Sequence, residues 1–291
     1  MKILAIGNSF SANATRFLGD IAHSAGDCQL TFAHACIGGC PLEKHYNLAL
    51  RHEGNPSDAE GMPYTLGQER MGLKEMLSAE KWHYVTIQQY SMHSFKIDTY
   101  RPFAKLLCDY IHTYASQAEI VFHQTWAYRL DDKDTFVNGY AQEKMYQDLA
   151  TAYQMIASEI GIKRIIPVGD AFQLVSESPE WRFTPDKEFN YSAPHYPDVP
   201  REVHSLHVGY GWRGEGTEKT FFVDTHHANS AGEYLGGCVW FEFFFGRDAR
   251  AVRFKPPQLS GEDAEFLKEI AHNVVTNGVR PAAWSSLAEM P

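Results

Sequence analysis

Short runs of consecutive apolar residues alternate along this chain with segments whose apolar positions recur every three to four residues. The first run, Lys2–Ile6, is almost unbroken and predicts a buried strand. Phe17, Leu18, Ile21, Ala22 and Ala25 then fall on one face of a helix. Leu30–Ile37, Tyr84–Gln88, Ile120–Phe122 and Ile165–Val168 predict four further strands, and Gln68–Ala79, Phe103–Ile111 and Asn138–Ile160 carry helical spacing between them. Strands alternating with helices of this length build βαβ units. The pattern therefore predicts one α/β domain over residues 1–291: a three-layer α/β/α sandwich around a parallel, flavodoxin-like sheet with right-handed crossovers.

Two excursions interrupt that rhythm. Residues 46–65 are polar and punctuated by Gly, Pro, Asn and Ser, and residues 179–220 set Pro185, Pro194, Pro197 and Pro200 among many aromatics without a period. Irregular segments of that length inside a compact domain are usually lids or binding loops. Beyond them, Ser230 with Glu233 has the pattern of a capping box opening the last core helix. Ser260 and Asp263 open a C-terminal helix with Leu267, Ile270, Ala271, Val274 and Val275 on its apolar face. Asp170 reads as the cap of a helix over Ala171–Val175.

A formal net charge of −10, with no Lys/Arg cluster, argues against nucleic acid and anionic membrane surfaces as partners. A small, neutral or weakly charged substrate is left. The cysteines (Cys28, Cys36, Cys40, Cys108 and Cys238) are odd in number and scattered, which reads as reduced thiols. His34, Cys36, Cys40 and His45 are close in sequence, but their spacing fits no zinc pattern, and no metal is expected there. The apolar run at Met1–Gly7 is too short for the core of a signal peptide, and no run is long enough to span a bilayer. The chain as written is expected to be cytoplasmic, with a trimmed secreted precursor as the alternative.

Candidate chemistry sits at the two ends. Gly7-Asn8-Ser9-Phe10-Ser11 follows the first strand directly. A serine at such a strand-to-helix turn projects its hydroxyl above the C-terminal edge of the sheet, beside backbone N–H groups that the helix leaves free. Neither a Gly-x-Ser-x-Gly elbow nor a phosphate-binding Gly-Lys-Ser/Thr ending occurs here. Just before the Ser230 helix, Asp224-Thr225-His226-His227 places an Asp three residues ahead of a His. That Asp can fix Nδ1–H of the imidazole and leave Nε2 to take a serine proton. The spacing favours His227 over His226 as the base.

Together with Ile37-Gly38-Gly39 after the second strand, these segments resemble the SGNH, or GDSL-like, hydrolases. Tyr84–Gln89, Gln124–Tyr128 and Pro167–Ala171 are most similar to one bacterial branch of that superfamily, a domain of unknown function. The resemblance runs from the first strand to the Ser230 helix. It implies a hydrolase that cleaves an ester through an acyl-serine intermediate, without metal or organic cofactor. Ser9 would be the nucleophile, its own N–H and that of Gly39 oxyanion donors, and Asp224 with His227 the rest of a triad.

One block departs from the family. Where it has Gly-x-Asn-Asp, with the Asn donating to the oxyanion, this chain has Gln88-Gln89-Tyr90-Ser91. A glutamine carries the same amide on a longer arm, so Gln88 and Gln89 are candidates for the third donor, with polar capping of the strand end as the other reading. The aromatic excursion offers Trp181 and Trp212 as stacking faces for a sugar ring, against a plain role in anchoring the loop. Removal of acetyl from a carbohydrate is the favoured activity. The alternatives are a lipase or thioesterase of the same fold, a sugar-binding protein with little turnover, and a metal-assisted hydrolase built on Asp224, His226 and His227.

Overall fold

Ile3–Ile6 of β1 (Lys2–Gly7) are buried without exception, as a strand covered on both faces must be. In the computed structural model, which describes residues 1–26, 29–216 and 218–278, β1 pairs in parallel with β2 (Thr31–Cys36). A small antiparallel hairpin, β3 (Tyr64–Leu66) and β4 (Glu69–Met71), stands outside the main sheet. β5 (Tyr84–Ile87) pairs with the other side of β1, and β6 (Glu119–His123) and β7 (Ile165–Ile166) extend the sheet in parallel. The order β2-β1-β5-β6-β7 is the flavodoxin-like arrangement that the sequence pattern predicts. β8 (His207–Arg213) and β9 (Thr220–Ala228) form a separate antiparallel pair.

Helices cover both faces of the sheet. α1 (Ser9–Thr15) and α2 (Leu18–Ser24) follow β1, and α3 (Leu42–Gly54) and α4 (Leu73–Ser78) follow β2. The short α5 (Ser91–Ser94), α6 (Phe103–Tyr114) and α7 (Gln142–Ile160) come next, then α8 (Val168–Glu177), α9 (Ser230–Phe245) and α10 (Gly261–Asn277). α9 packs against α1, α2, α8 and α10, while α3, α4 and α6 pack together on the other side. α9 is buried along nearly its whole length, consistent with its run of apolar residues.

Several expectations are corrected. The helix predicted over Gln68–Ala79 starts only at Leu73, because a turn at Gly67 (φ 63°) folds the preceding residues into β3 and β4. Half of the excursion at 46–65 is helix α3, whose buried face of Leu42, His45, Ala49 and His52 contains two histidines and so conceals its period. The second excursion is irregular to residue 206 but ends in β8, and Asp224–His227 lie within the strand β9 that pairs with it. Asn229, not Ser230, caps α9, accepting from the N–H groups of Ala231 (2.9 Å) and Gly232 (3.2 Å). Glu233 instead binds Asn13 and Arg16. Asp170 lies inside the first turn of α8 and does not cap it; its carboxyl accepts from Gln124 (2.8 Å) and Tyr146 (3.0 Å), and burial pushes it up to about 6. Ser260 caps α10 as expected.

Cys36, Cys40, Cys108 and Cys238 are free thiols, and Cys28 lies outside the described residues. No helix among the described residues is long and apolar enough to cross a membrane.

Candidate active site

The parallel sheet reverses its winding between β1 and β5, and the loops leaving those strands part there to open a crevice. Ser9 sits at that point, as the first residue of α1. Asn8, fully buried, fixes the turn: its Oδ1 accepts from Phe10 N–H (3.0 Å) and Gln88 Nε2 (2.8 Å), and its Nδ2 donates to the Cys40 carbonyl (3.1 Å). One side chain thus ties together the loops after β1, β2 and β5.

The opposite wall is β9. His227 Nε2 lies 2.8 Å from Ser9 Oγ, and its Nδ1 lies 2.8 Å from Asp224 Oδ2. The other Asp224 oxygen accepts from the backbone N–H groups of His226 (3.0 Å) and His227 (2.9 Å). Burial alone would raise the Asp224 carboxyl, but the hydrogen bonds from the His227 ring and these two N–H groups outweigh it and hold it below the ordinary carboxylate range. In return, the bond from Asp224 raises His227 above the ordinary histidine value, against the opposing effect of burial. The two ends of the chain, 218 residues apart, meet in one chain of hydrogen bonds.

Three contacts hold β9 against Ser9 and its helix. Trp126, fully buried, is stacked between Phe10 (4.3 Å) and Phe172 (4.4 Å) and donates its indole N–H to the His226 carbonyl (2.9 Å). Arg129 N–H donates to the Thr225 carbonyl (2.9 Å), while its buried guanidinium grips Asp131 and Glu202. Asn13 Oδ1 accepts from Ala228 N–H (3.3 Å). Sequence reasoning missed these supports. The Gln124–Tyr128 block was visible as a resemblance, but nothing in it announces which partner each residue takes.

His226, the other imidazole of β9, binds Asp132 Oδ2 at 2.8 Å. Asp132 also accepts from the Thr225 hydroxyl and from Thr135 N–H (2.8 Å).

As the first residue of its helix, Ser9 has a backbone N–H that the helix cannot satisfy. Gly39 is exposed and at φ 60°, a conformation that L side chains rarely adopt, and its N–H has no protein acceptor among the described residues. The glutamines behave otherwise. Gln88 is fully buried and its Nε2 is spent on Asn8 and on the Gln89 carbonyl; its carboxamide lies where a Cβ on Gly7 would be, at 2.9 Å. Gln89 is equally buried, donating to Thr99 (2.8 Å) and accepting from the N–H groups of Leu42 and Tyr90. Both are strand-end caps without a free amide donor, which corrects the expectation that either supplies the third donor to the oxyanion. At the sequence position next after them, the Tyr90 ring edge comes within 3.8 Å of where a Cβ on Gly39 would stand.

A cleft of about 650 Å³ opens beside Asp224 and His227, and the β8–β9 pair supplies much of its lining. Tyr191, Tyr210 and Phe221 present rings to it, and Asp131, Asp134 and Arg213 present charges. The two tryptophans do not line it. Trp181 is buried between His204 (4.9 Å) and Phe266 (5.6 Å), against α10, and its role as a substrate platform is corrected to an anchor. Trp212 donates to the Asp198 carbonyl (2.8 Å) and packs on Tyr196 and Phe221, one layer behind the rings that face the cleft.

His34, Cys36, Cys40 and His45 do not come together as a ligand set: His34 bonds Thr15 and His45 bonds Tyr64. Among the described residues the one group with metal-like spacing is Glu242, Asp248 and His272, where His272 Nδ1 is already held by Glu242 (2.8 Å) and Asp248 by Arg250.

Residues 2–195 match the family model described as a domain of unknown function, DUF4886. That span contains Ser9 and Gly39 but stops short of Asp224 and His227. No curated protein matches the chain. A crystal structure of a DUF4886 family protein from Bacteroides uniformis is 25% identical over 98% of both chains, with a TM-score of 0.70. An SGNH-hydrolase candidate from Slackia heliotrinireducens is 19% identical over 83% of this chain and 97% of its own, with a TM-score of 0.50. The chain belongs to the DUF4886 family, and its α/β/α sandwich is the fold of the SGNH hydrolases.

Proposed function

We propose that this protein is a serine esterase that removes a small acyl group, acetyl foremost, from a hydroxylated alcohol such as a carbohydrate. The observation that carries the reading is the continuous chain Ser9 Oγ, His227, Asp224 with both links at 2.8 Å. His227 Nε2 takes the hydroxyl proton as Ser9 Oγ attacks the ester carbonyl, and Asp224 stabilises the imidazolium that forms. The oxyanion is received by the N–H groups of Ser9 and Gly39. As the intermediate collapses, the alkoxide leaves with the proton from His227; water, deprotonated by the same ring, then releases the acid from Ser9.

A polar alcohol is supported by the cleft, where ring faces alternate with carboxylates and a guanidinium. Such a lining suits a ring that has an apolar face and hydroxyls at its edge better than it suits an alkyl chain.

A second reading, a binding protein of this fold with little turnover, is favoured by one observation: with Gln88 and Gln89 committed elsewhere, the oxyanion has two backbone donors and no side-chain amide. A fluorophosphonate probe separates the two. Covalent modification of Ser9, located by peptide mass and absent in Ser9→Ala, is expected for the esterase, together with hydrolysis of acetylated xylo-oligosaccharide. An unmodified Ser9 in folded protein would leave the binding reading. Turnover that rises with acyl chains of eight or more carbons would overturn the carbohydrate assignment.

A further inference from the structure

The Asp132–His226 pair takes no part in the proton transfers above, yet it is built with as much care as the triad. His226 immediately precedes His227 on β9, and both rings line the cleft. Asp132, with a side chain only 6% exposed, accepts from three donors: His226 Nε2, the Thr225 hydroxyl and Thr135 N–H. Burial would raise its carboxyl, but these bonds outweigh burial and keep it below the ordinary range, so it stays ionised at neutral pH. An ionised carboxylate at 2.8 Å holds a hydrogen of His226 on Nε2.

The remaining freedom of the ring is taken away from below. Tyr128 stacks against it at 3.7 Å and is itself fixed by a hydrogen bond from its hydroxyl to Ser91 (2.8 Å). The His226 backbone is pinned through its carbonyl by Trp126 and through its N–H by Asp224. What is left is Nδ1, a lone-pair acceptor with no protein partner among the described residues, on a side chain 37% exposed in the cleft. A tie that only fastened β9 to the loop after β6 would need no more than Thr225, which already reaches Asp132.

We propose that Nδ1 of His226 is a specificity element that accepts a hydrogen bond from a free hydroxyl on the substrate's alcohol part, close to the carbon bearing the ester. The inference rests on the esterase reading and narrows its substrate class to partially acylated polyols and sugars, in which an ester has an unesterified hydroxyl as neighbour. A site built to bond a hydroxyl discriminates against analogues that lack it, because its polar atom is then left without a partner.

The test uses two substrates that share the ester and differ in the neighbours: a methyl xyloside monoacetate, and the same monoacetate with its remaining hydroxyls O-methylated. The full-length protein is expected to prefer the first by about tenfold or more in kcat/KM. In His226→Phe, which keeps a flat ring over Tyr128, that preference should shrink to within about twofold, with most of the change in KM. His226→Gln, which carries both a donor for Asp132 and an acceptor carbonyl, should restore part of it. A loss that is merely structural would lower both substrates together and leave the ratio unchanged. Ser9 labelling by fluorophosphonate is run on each preparation. Unlabelled parent protein that hydrolyses neither acetate sinks the esterase reading and this inference with it. A labelled, active parent without preference, or a His226→Phe variant that keeps the preference, overturns this inference alone.

Discussion

His226 and His227 are consecutive residues of one strand, and each holds a carboxylate at 2.8 Å. Their circumstances diverge from there. The carboxylate of His227 comes from Asp224, three residues back on the same strand, and its free nitrogen meets Ser9. The carboxylate of His226 comes from Asp132, 94 residues away, and its free nitrogen meets the cleft. His227 is bonded through both nitrogens, an arrangement that on the esterase reading would move a proton; His226 is bonded through one and stacks on Tyr128. The same side chain with the same kind of partner is thus proposed to serve different ends, according to what its second nitrogen faces. The carboxylate fixes a tautomer in both cases; only the geometry on the far side of the ring decides the chemistry.

The largest expected effect falls on the partner that only one of the two rings possesses. Ser9→Ala should lower kcat for an activated acetyl ester by about 10⁶-fold without loss of fold, checked by circular dichroism. Retention of activity within tenfold in clean protein would falsify the nucleophile assignment. His227→Ala is expected to be nearly as inactive, whereas His226→Ala should lose about tenfold on a sugar acetate. The reverse ranking, measured on that acetate, would mean that the roles of the two rings have been exchanged.

Asp224→Asn should cost about 10⁴-fold in kcat, since the amide no longer selects the catalytic tautomer. It should also move the pH profile. His227 acts as base only when neutral, and its bond from Asp224 raises it, so activity of the parent should fall with acidification through a value above about 6.5. Without the Asp224 carboxylate that limb should shift to lower pH. A limb that stays in place in a kcat/KM profile would assign it to another group.

Gln88 offers a smaller and sharper contrast between scaffold and chemistry. As a buried cap bonded to Asn8, it should show its loss in Gln88→Ala as about 1–3 kcal/mol of stability in a denaturant titration. A drop in kcat of about 10²-fold or more with stability unchanged would instead make it an oxyanion donor.

The smallest effect concerns a buried carboxyl with no imidazole beside it. Among the described residues the Asp170 carboxyl has Gln124 and Tyr146 as partners and is raised to about 6, whereas Asp132 and Asp224, each with a histidine, are lowered. A raised carboxyl contributes stability that is complete below its unfolded value and is lost as pH rises through about 6. Asp170→Asn should therefore be more stable than the parent at pH 8 by on the order of 1 kcal/mol, and no more stable at pH 4. Equal melting temperatures of the two proteins at both pH values would count against a burdened carboxyl there.

Much of this was legible in the sequence where cause and effect are local. The inner strands β1, β5 and β6 declare themselves because residues covered on both faces form nearly unbroken apolar runs. Asp224 and His227 are readable because three residues separate them. Hairpin β3–β4 is not, since strands of three residues with polar outer positions carry no period. Asp132 is silent in the sequence for another reason: nothing local marks which of many carboxylates will meet His226. The family resemblance made Gln88 and Gln89 look like donors, but their burial depends on the space above Gly7 and on Thr99, which only the folded chain reveals. Trp181 carries the same signal whether it stacks on a sugar or on Phe266, and packing against α10 decides between them.

The 218 residues between Ser9 and His227 have a consequence in time. A ribosome adding about 5–20 residues per second needs about 10–40 s to cover that distance. For that interval Ser9 has been made and His227 has not. On the esterase reading the serine is an ordinary alcohol throughout that interval, and reactivity arrives late, with β9. A chain truncated before β9 would carry the Ser9 turn and the sheet but neither Asp224 nor His227, so that on the esterase reading it would hydrolyse nothing and β9 acts as the final key turned in a lock already built.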